Sequence, residues 1–251
     1  MAIMDERRKQ ILEEVIQNGT ASVKDLAAQF NVTYETIRKD LAALADQNQL
    51  IKTHGGALAK QGSYENPFNV REEENIFFKK LLAKRAISLI PNGATIILGT
   101  GSTILELAKL LVIRNDLKIF TDSIPAVSYL QDSANDVYLF GGKLRSRSSS
   151  VYGGWTDMML NQIEVDACFL GTDGFAGFTG PTSPSYSDAS VDRVIINRSR
   201  KRYVLADYTK FKRKSLYQIT NWDPITGLIT NPEADNELVE KLAEHTTVIA
   251  E

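Results

Sequence analysis

The chain has 251 residues, 43% of them hydrophobic and 24% charged, with a formal net charge of −2. Those proportions suit a folded protein with one small domain of about 60 residues and a larger one of roughly 180. They exclude a basic nucleic-acid tail, and with one cysteine (Cys168) and two histidines (His54, His245) they exclude a disulfide framework and a His/Cys metal site.

Taken in chain order, residues 5–17 predict an amphipathic helix with Ile11, Leu12, Val15 and Ile16 facing inward. A shorter helix follows over 23–30, with Ser22 as its cap, and then the tight connection Asn31-Val32. The next segment, Thr33-Tyr34-Glu35-Thr36-Ile37-Arg38-Lys39-Asp40-Leu41, is the most informative in the chain. Thr33 is a natural N-cap. Ile37, Leu41 and Leu44 fall at i, i+4 and i+7 and share a buried face. Glu35, Lys39, Ala42 and Asp46 point the other way, with Arg38 on the flank. Two short helices joined this closely, the second basic near its start, form a helix-turn-helix pattern. Two extended runs around His54-Gly55-Gly56 then predict a β-hairpin. Its place after the second helix makes it a wing, with Lys52 and His54 facing a DNA backbone. Residues 1–60 hold eight Lys or Arg against eight Asp or Glu, so positive charge for DNA must be local. Arg38, Lys39 and Lys52 supply it, with Arg7 and Arg8 as further candidates.

Residues 59–74 begin polar and broken by Gly62 and Pro67, and predict a linker. Past it, Phe78, Leu81, Leu82, Arg85, Ala86 and Leu89 trace a helix face. Apolar extended runs follow at 95–98, 117–120, 137–140, 167–170, 203–206, 227–230 and 247–250. Helical stretches lie at 103–112, 125–130, 189–199 and 234–243. Strand–helix alternation with nearly pure apolar strands predicts a mostly parallel sheet covered on both faces. Ligands then bind beyond the carboxyl ends of the strands. The first such loop, Gly99-Thr100-Gly101-Ser102-Thr103, combines a glycine cradle, two hydroxyl side chains and a helix N-terminus, the requirements of a phosphate monoester. It is no P-loop, because no Gly-Lys-Ser/Thr follows. Thr121-Asp122-Ser123, Gly141-Gly142-Lys143-Leu144-Arg145, Gly171-Thr172-Asp173-Gly174 and Asp207-Tyr208-Thr209-Lys210-Phe211 bring further polar groups to strand ends.

The N-terminal segment resembles the winged helix-turn-helix of the DeoR family of bacterial transcriptional regulators. The match runs through Arg8, Leu12, Ile16, Thr33, Thr36, Ile37, Arg38, Lys39, Asp40 and Leu41 to His54-Gly55-Gly56-Ala57. Residues 75–250 resemble the effector-sensing domain of the same family, which shares its fold with ribose phosphate isomerases, glucosamine phosphate deaminases and coenzyme A transferases. The resemblance implies an α/β chain: a winged helix-turn-helix domain over 1–58, a linker over 59–74 and a Rossmann-like, sugar-phosphate isomerase-like domain over 75–251. It implies DNA contact through Thr33, Tyr34, Thr36, Arg38, Lys39, Lys52 and His54. A phosphorylated sugar is implied at Thr100, Gly101, Ser102 and Thr103, with Asp122, Gly142, Asp173 and Lys210 around the sugar. Three positions depart from the family: Gly99 where an acidic residue is frequent, Asp122 where Asn is common, and Asp192, within Asp188-Ala189-Ser190-Val191-Asp192-Arg193, where Lys is frequent.

The expected function is a cytoplasmic repressor of a carbohydrate-utilisation operon. It binds a double-stranded operator as a dimer or tetramer, needs no cofactor, and is released by a phosphorylated sugar. No apolar run reaches the roughly 18 residues of a membrane span, and residues 1–9 lack a signal-peptide core. Cys168, inside Ala167-Cys168-Phe169-Leu170, is expected to be a core thiol. A rival reading is a sugar-phosphate isomerase or deaminase. Asp173 could then serve as a base, but the segment after it supplies no second carboxylate and no positioned histidine. A third, an oligomerisation module without ligand, leaves the Gly, Ser, Thr and Asp at several strand ends unexplained.

Overall fold

Helix α1 (Ala2–Asn18) buries Ile11, Leu12, Val15 and Ile16, the face their spacing requires. The computed structural model describes residues 2–47, 49–59, 65–177 and 179–250, and the chain divides into two units, Met1–Asn66 and Pro67–Glu251. In the first, α1 is followed by strand β1 (Thr20–Ser22), α2 (Val23–Phe30), α3 (Tyr34–Asp46) and the hairpin strands β2 (Leu50–Lys52) and β3 (Gly56–Ala59). The Ser22 hydroxyl accepts from the Asp25 N–H to cap α2, and Thr33 accepts from the Thr36 N–H to cap α3. Between them Asn31, at φ 52°, turns the chain out of α2 in the left-handed region. The α1 face packs on Leu26, Ile37, Leu41 and Leu44 to form this unit's core. Strand β1, absent from the sequence expectation, joins the hairpin to give the order β1-β3-β2. A β-carbon on Gly56 would lie 2.0 Å from the Ala21 carbonyl oxygen, so only glycine lets β3 lie against β1.

The second unit opens with α4 (Phe68–Glu73) and α5 (Ile76–Ile87). The later part of the expected 59–74 linker is therefore helical, because Phe68 is buried and anchors a turn there. Residues 60–64 of that linker lie outside the described residues. Next come β4 (Thr95–Leu98), α6 (Ser102–Leu111), β5 (Lys118–Thr121), α7 (Ile124–Leu130) and β6 (Asp136–Leu139). A small hairpin, β7 (Lys143–Arg145) and β8 (Ser150–Tyr152), leads to α8 (Gly154–Leu160) and β9 (Val165–Gly171). The chain ends with β10 (Thr182–Ser183), α9 (Tyr186–Asn197), β11 (Ser199–Leu205), a 3-10 turn (Tyr208–Lys212), β12 (Tyr217–Gln218), β13 (Gly227–Thr230), α10 (Asn236–Ala243) and β14 (Val248–Ala250).

Seven of these strands form one sheet in the order β14-β13-β11-β9-β4-β5-β6. Every neighbouring pair in it is parallel. Alternate side chains feed two cores. Ile97, Cys168, Leu170, Val204 and Leu228 pack with Leu160, Ile195 and Leu242 of α8, α9 and α10. Ile96, Leu98, Phe169, Leu205 and Ile229 pack with Leu82, Leu107 and Leu130 of α5, α6 and α7. Burial on both faces explains why the inner strands β4, β9 and β13 read as continuous apolar runs, whereas the edge strands β6 and β14 are partly exposed. Cys168 sits in the first core, where burial pushes its thiol up to about 12, as an inert core group. The chain steps outward from β4 through β5 to β6, then returns to place β9 on the other side of β4. The loops after β4 and β9 thus diverge at a topological switch point and open a crevice at the carboxyl ends of the sheet.

Candidate functional site

In the N-terminal unit, α3 presents its polar face outward. Tyr34 is 53% exposed, and Arg38 and Lys39 are exposed beside it. The Thr33 and Thr36 hydroxyls share a 2.9 Å hydrogen bond at the start of the helix. Lys52 and His54 are exposed on the hairpin. Arg38, Lys52 and His54 line one cleft of about 320 Å³ together with Val23, Leu41, Thr53 and Gly56. The Val23 N–H donates to the Gly55 carbonyl at 2.8 Å and ties the hairpin tip to the start of α2. Helix and hairpin therefore bring three of the expected basic groups to one concavity, while Lys39 stands on the outer face of α3.

Arg7 and Arg8 correct the sequence reading. Arg7 Nε lies 2.7 Å from Asp40 Oδ2, and Arg8 Nε lies 2.9 Å from Asp40 Oδ1. Asp40 is only 1% exposed. One buried carboxylate on the inner face of α3 thus engages both guanidinium groups of α1. They brace the helix instead of adding to its outward charge.

The strand-end site of the larger unit is built around residues 99–103. Gly101 is the N-cap of α6 at φ 131°, a conformation that requires glycine, and no side chain caps the first amides of the helix. Those N–H groups, with the helix dipole and the Ser102 and Thr103 hydroxyls, form a ready anion cradle. The Gly99 N–H donates to the Phe169 carbonyl at 3.0 Å, and the Thr100 hydroxyl donates to the Ser148 carbonyl at 3.2 Å. A β-carbon on Gly99 would fall 2.6 Å from Leu170 Cδ2 and 3.5 Å from Asp192 Oδ1, so the loop lies directly against β9 and α9.

Asp122, at the end of β5, is 2% exposed, and its Oδ1 has no hydrogen-bond partner among the described residues. Burial, then the nearby Asp188, pushes its carboxyl up to about 8. Burial, then Asp122 and Asp188, raises Asp192 well above the carboxylate range. Asp188 is held by Arg145 Nη1 at 3.0 Å and by the Ser148 hydroxyl at 3.4 Å. Asp173, in the loop after β9, accepts from the Ser215 hydroxyl and lies 4.0 Å from Lys210 Nζ. Lys210 in turn sits near Lys79, whose ammonium is lowered to about 8 by burial and then by Lys210, against the pull of Asp207. Lys79 donates to the Arg71 carbonyl.

The structure thus joins Thr100, Asp122, Asp188 and Asp192 on one side and Asp173 with Lys210 on the other. Gly142 is exposed, and its missing side chain serves packing: a β-carbon would meet Thr156 Oγ1 at 2.3 Å and the Tyr152 carbonyl oxygen at 2.6 Å. Ser148 and Lys79 escaped sequence reasoning, and Arg145, expected among the polar groups at the strand ends, was not expected to pair with Asp188. Arg145 and Ser148 belong to a three-residue-strand hairpin without clear alternation, and Lys79 occupies a position that reads as one more solvated helix charge. Among the described residues no group of three or more His, Cys, Asp or Glu is arranged to hold a metal ion, and no helix is long and apolar enough to cross a membrane.

Residues 7–62 match the DeoR-like helix-turn-helix domain, and residues 74–232 match the DeoR C terminal sensor domain. The chain is 28% identical over 241 residues to the glycerol-3-phosphate regulon repressor of Escherichia coli (strain K12), covering 96% of each chain. It is 33% identical over 241 residues to the HTH-type transcriptional regulator GolR of Listeria innocua, covering 95% of each. Among solved structures, ribose 5-phosphate isomerase A from Methanocaldococcus jannaschii aligns over 56% of each chain, with 20% identity and a TM-score of 0.43. A helix-turn-helix unit with its basic cleft, a parallel sheet with a polar strand-end site, and two family matches that together span most of the chain agree: this protein belongs to the DeoR family of transcriptional regulators.

Proposed function

We propose that this regulator represses a carbohydrate-utilisation operon in the cytoplasm and releases its double-stranded operator when a phosphorylated sugar binds the strand-end site. In this reading α3 enters the major groove, with Arg38 and Lys39 toward base edges and phosphates and Thr33, Tyr34 and Thr36 at its leading end. Lys52 and His54 on the hairpin meet the backbone. Paired copies, as a dimer or tetramer, read paired half-sites, because one winged helix contacts few base pairs.

The observation that carries the effector reading is the uncapped N-terminus of α6 behind Gly101, flanked by the Ser102 and Thr103 hydroxyls. Asp122, Asp173 and Lys210 supply hydrogen-bonding groups for the rest of the ligand. The regulon named for the Escherichia coli relative is that of a phosphorylated polyol, which agrees with a phosphate anchor. The same fold hosts isomerases, so function is argued from the site and from family membership. Both favour regulation over catalysis.

A phosphorylated sugar should stabilise the protein far more than its unphosphorylated counterpart, through linkage of binding to folding. Calorimetry with such pairs is the test, and equal affinity with and without phosphate would remove residues 101–103 from the site.

A further inference from the structure

Strand β6 ends the main sheet and pairs only with β5. The Asp136 and Phe140 N–H groups donate to the Leu117 and Thr121 carbonyls. Alternation therefore turns the backbone groups of Asn135, Val137, Leu139 and Gly141 away from the sheet. At the two ends of this edge they are engaged. The Asn135 N–H donates to Ser133 Oγ at 3.4 Å. Gly141 is closed by α8: its N–H donates to Met159 Sδ at 3.2 Å, and its carbonyl accepts from the Thr156 hydroxyl at 2.7 Å. Between them Val137 and Leu139 have no outward partner among the described residues. Natural edges are guarded by charge, proline or a bulge, and residues 137–139 have none of these.

The surface around this edge is apolar. Tyr138 and Leu139 are both exposed and, as neighbours in a strand, point to opposite faces of the sheet. Tyr138 stacks on Phe120 at 4.6 Å, on the face that α8 covers. Helix α8 buries Thr156 and Leu160 and turns Trp155, Met158 and Met159 outward, with Trp155 74% exposed. These three fall at i, i+3 and i+4 and form one stripe. With a whole aromatic side chain counting for about 150–250 Å², the five leave on the order of 500 Å² in solvent. That is a patch of the size that marks an interaction surface, and most of the roughly 800 Å² each partner gives to a stable complex. Aromatic residues and Met are also what interface cores are rich in. At the opposite edge, β14 exposes no large apolar side chain.

A second copy of the same edge fits this opening. Two β6 strands running antiparallel about a two-fold axis at Tyr138 set Val137 of each copy opposite Leu139 of the other. Each such pair exchanges two N–H···O=C bonds, so the pairing satisfies every outward group of the open length. A longer strand from a different protein meets an edge already closed at Asn135 and Gly141. We propose that two copies of this chain join through β6 in this way, with Tyr138 facing its symmetry mate and the α8 stripe of Trp155, Met158 and Met159 packed against the partner. The pairing is read from the edge and the patch alone, and only its use in reading paired half-sites rests on the proposed repressor role.

The test is sedimentation of the full chain from nanomolar to high micromolar concentration, combined with acrylamide quenching of its two tryptophans. Trp222 is buried in the core and Trp155 lies on the proposed interface, so Trp155→Phe gives the Trp222 signal alone. The chain should self-associate, and wherever it sediments as an assembly Trp155 should be shielded nearly as well as Trp222. Tyr138→Lys sets two ammonium groups against each other at the axis and should weaken association at least about tenfold. Tyr138→Glu should do the same. An equimolar mixture of the two variants should recover association to within a few-fold of wild type, because the axis then pairs Lys with Glu. Thermal unfolding verifies that each variant is folded, and the wild-type quenching stands without them. A chain monomeric over the whole range, an assembly whose Trp155 stays open to acrylamide, or folded variants that associate as wild type does would each overturn this interface. Variants that weaken association and do not recover on mixing overturn the two-fold axis at Tyr138.

Discussion

Asp40 sets the charge balance of the N-terminal unit. One buried carboxylate holds two arginines of α1, so their removal from the DNA-facing charge is a matter of geometry. Asp40→Ala leaves two guanidinium groups without their shared partner. It should destabilise the unit by about 1–3 kcal/mol, more than Arg7→Ala or Arg8→Ala, each of which leaves the other pair intact. Hydrogen exchange of the α1 and α3 amides measures this, and unchanged protection would show the pairing to be idle. Asp122 gives the opposite electrostatic case. Its folded-state value of about 8 lies above the roughly 4 of an unfolded aspartate, so the folded chain keeps a proton that the unfolded chain releases. The sign follows: this group's contribution is complete below about pH 4 and declines as pH rises toward about 8. Asp122→Asn should therefore raise the melting temperature of the larger unit most above pH 7 and flatten its fall across that window. A parallel shift at every pH would contradict the raised value.

Periodicity made most elements legible. Ile37, Leu41 and Leu44 marked α3 and its inner face, and all three are buried. The seven apolar runs correspond to the seven strands of the main sheet, and the inner ones need no polar alternation because both of their faces are buried. Other elements were too short to carry a pattern. Strand β1 has three residues, and so do β7 and β8, whose connection runs through the serine-rich stretch 146–149. With that hairpin hidden, the Arg145–Asp188 pair was invisible too, since it joins residues 43 apart. Asp40 was legible as a helix residue but not as a buried ion, because periodicity places a position on a face without naming its partner. On α3 and the hairpin, Arg38→Ala should weaken operator binding by about 1–3 kcal/mol and relax preference at one base position. Lys52→Ala should weaken binding to all sequences and reduce the salt slope by about one unit. Salt-dependent anisotropy with operator and random duplexes separates the two. Unchanged binding by a folded Arg38→Ala, Lys39→Ala variant would dismiss α3 as the reading helix.

A regulator of this kind works by coupling two sites carried on different units, here divided at Asn66 and Pro67. The effector must favour one conformation over the other, and coupling of about 1–3 kcal/mol changes operator affinity by roughly 5- to 150-fold. Thr103→Ala removes one hydroxyl from the proposed phosphate cradle, and Lys210→Ala removes the cation beside Asp173. Both changes lie in the larger unit, so DNA affinity without effector should stay nearly unchanged while release fails, giving uninducible repression. Arg38→Ala should give the reverse, loss of repression with effector binding intact. The most direct measurement is operator affinity by gel shift, for wild type and for the Thr103→Ala, Lys210→Ala double variant, as each of a set of phosphorylated sugars is added to millimolar concentration. At least one of them should release the operator from wild type and leave the double variant bound. Operator affinity of wild type that no phosphorylated sugar alters, or a double variant that releases as wild type does, would contradict effector control through the strand-end site.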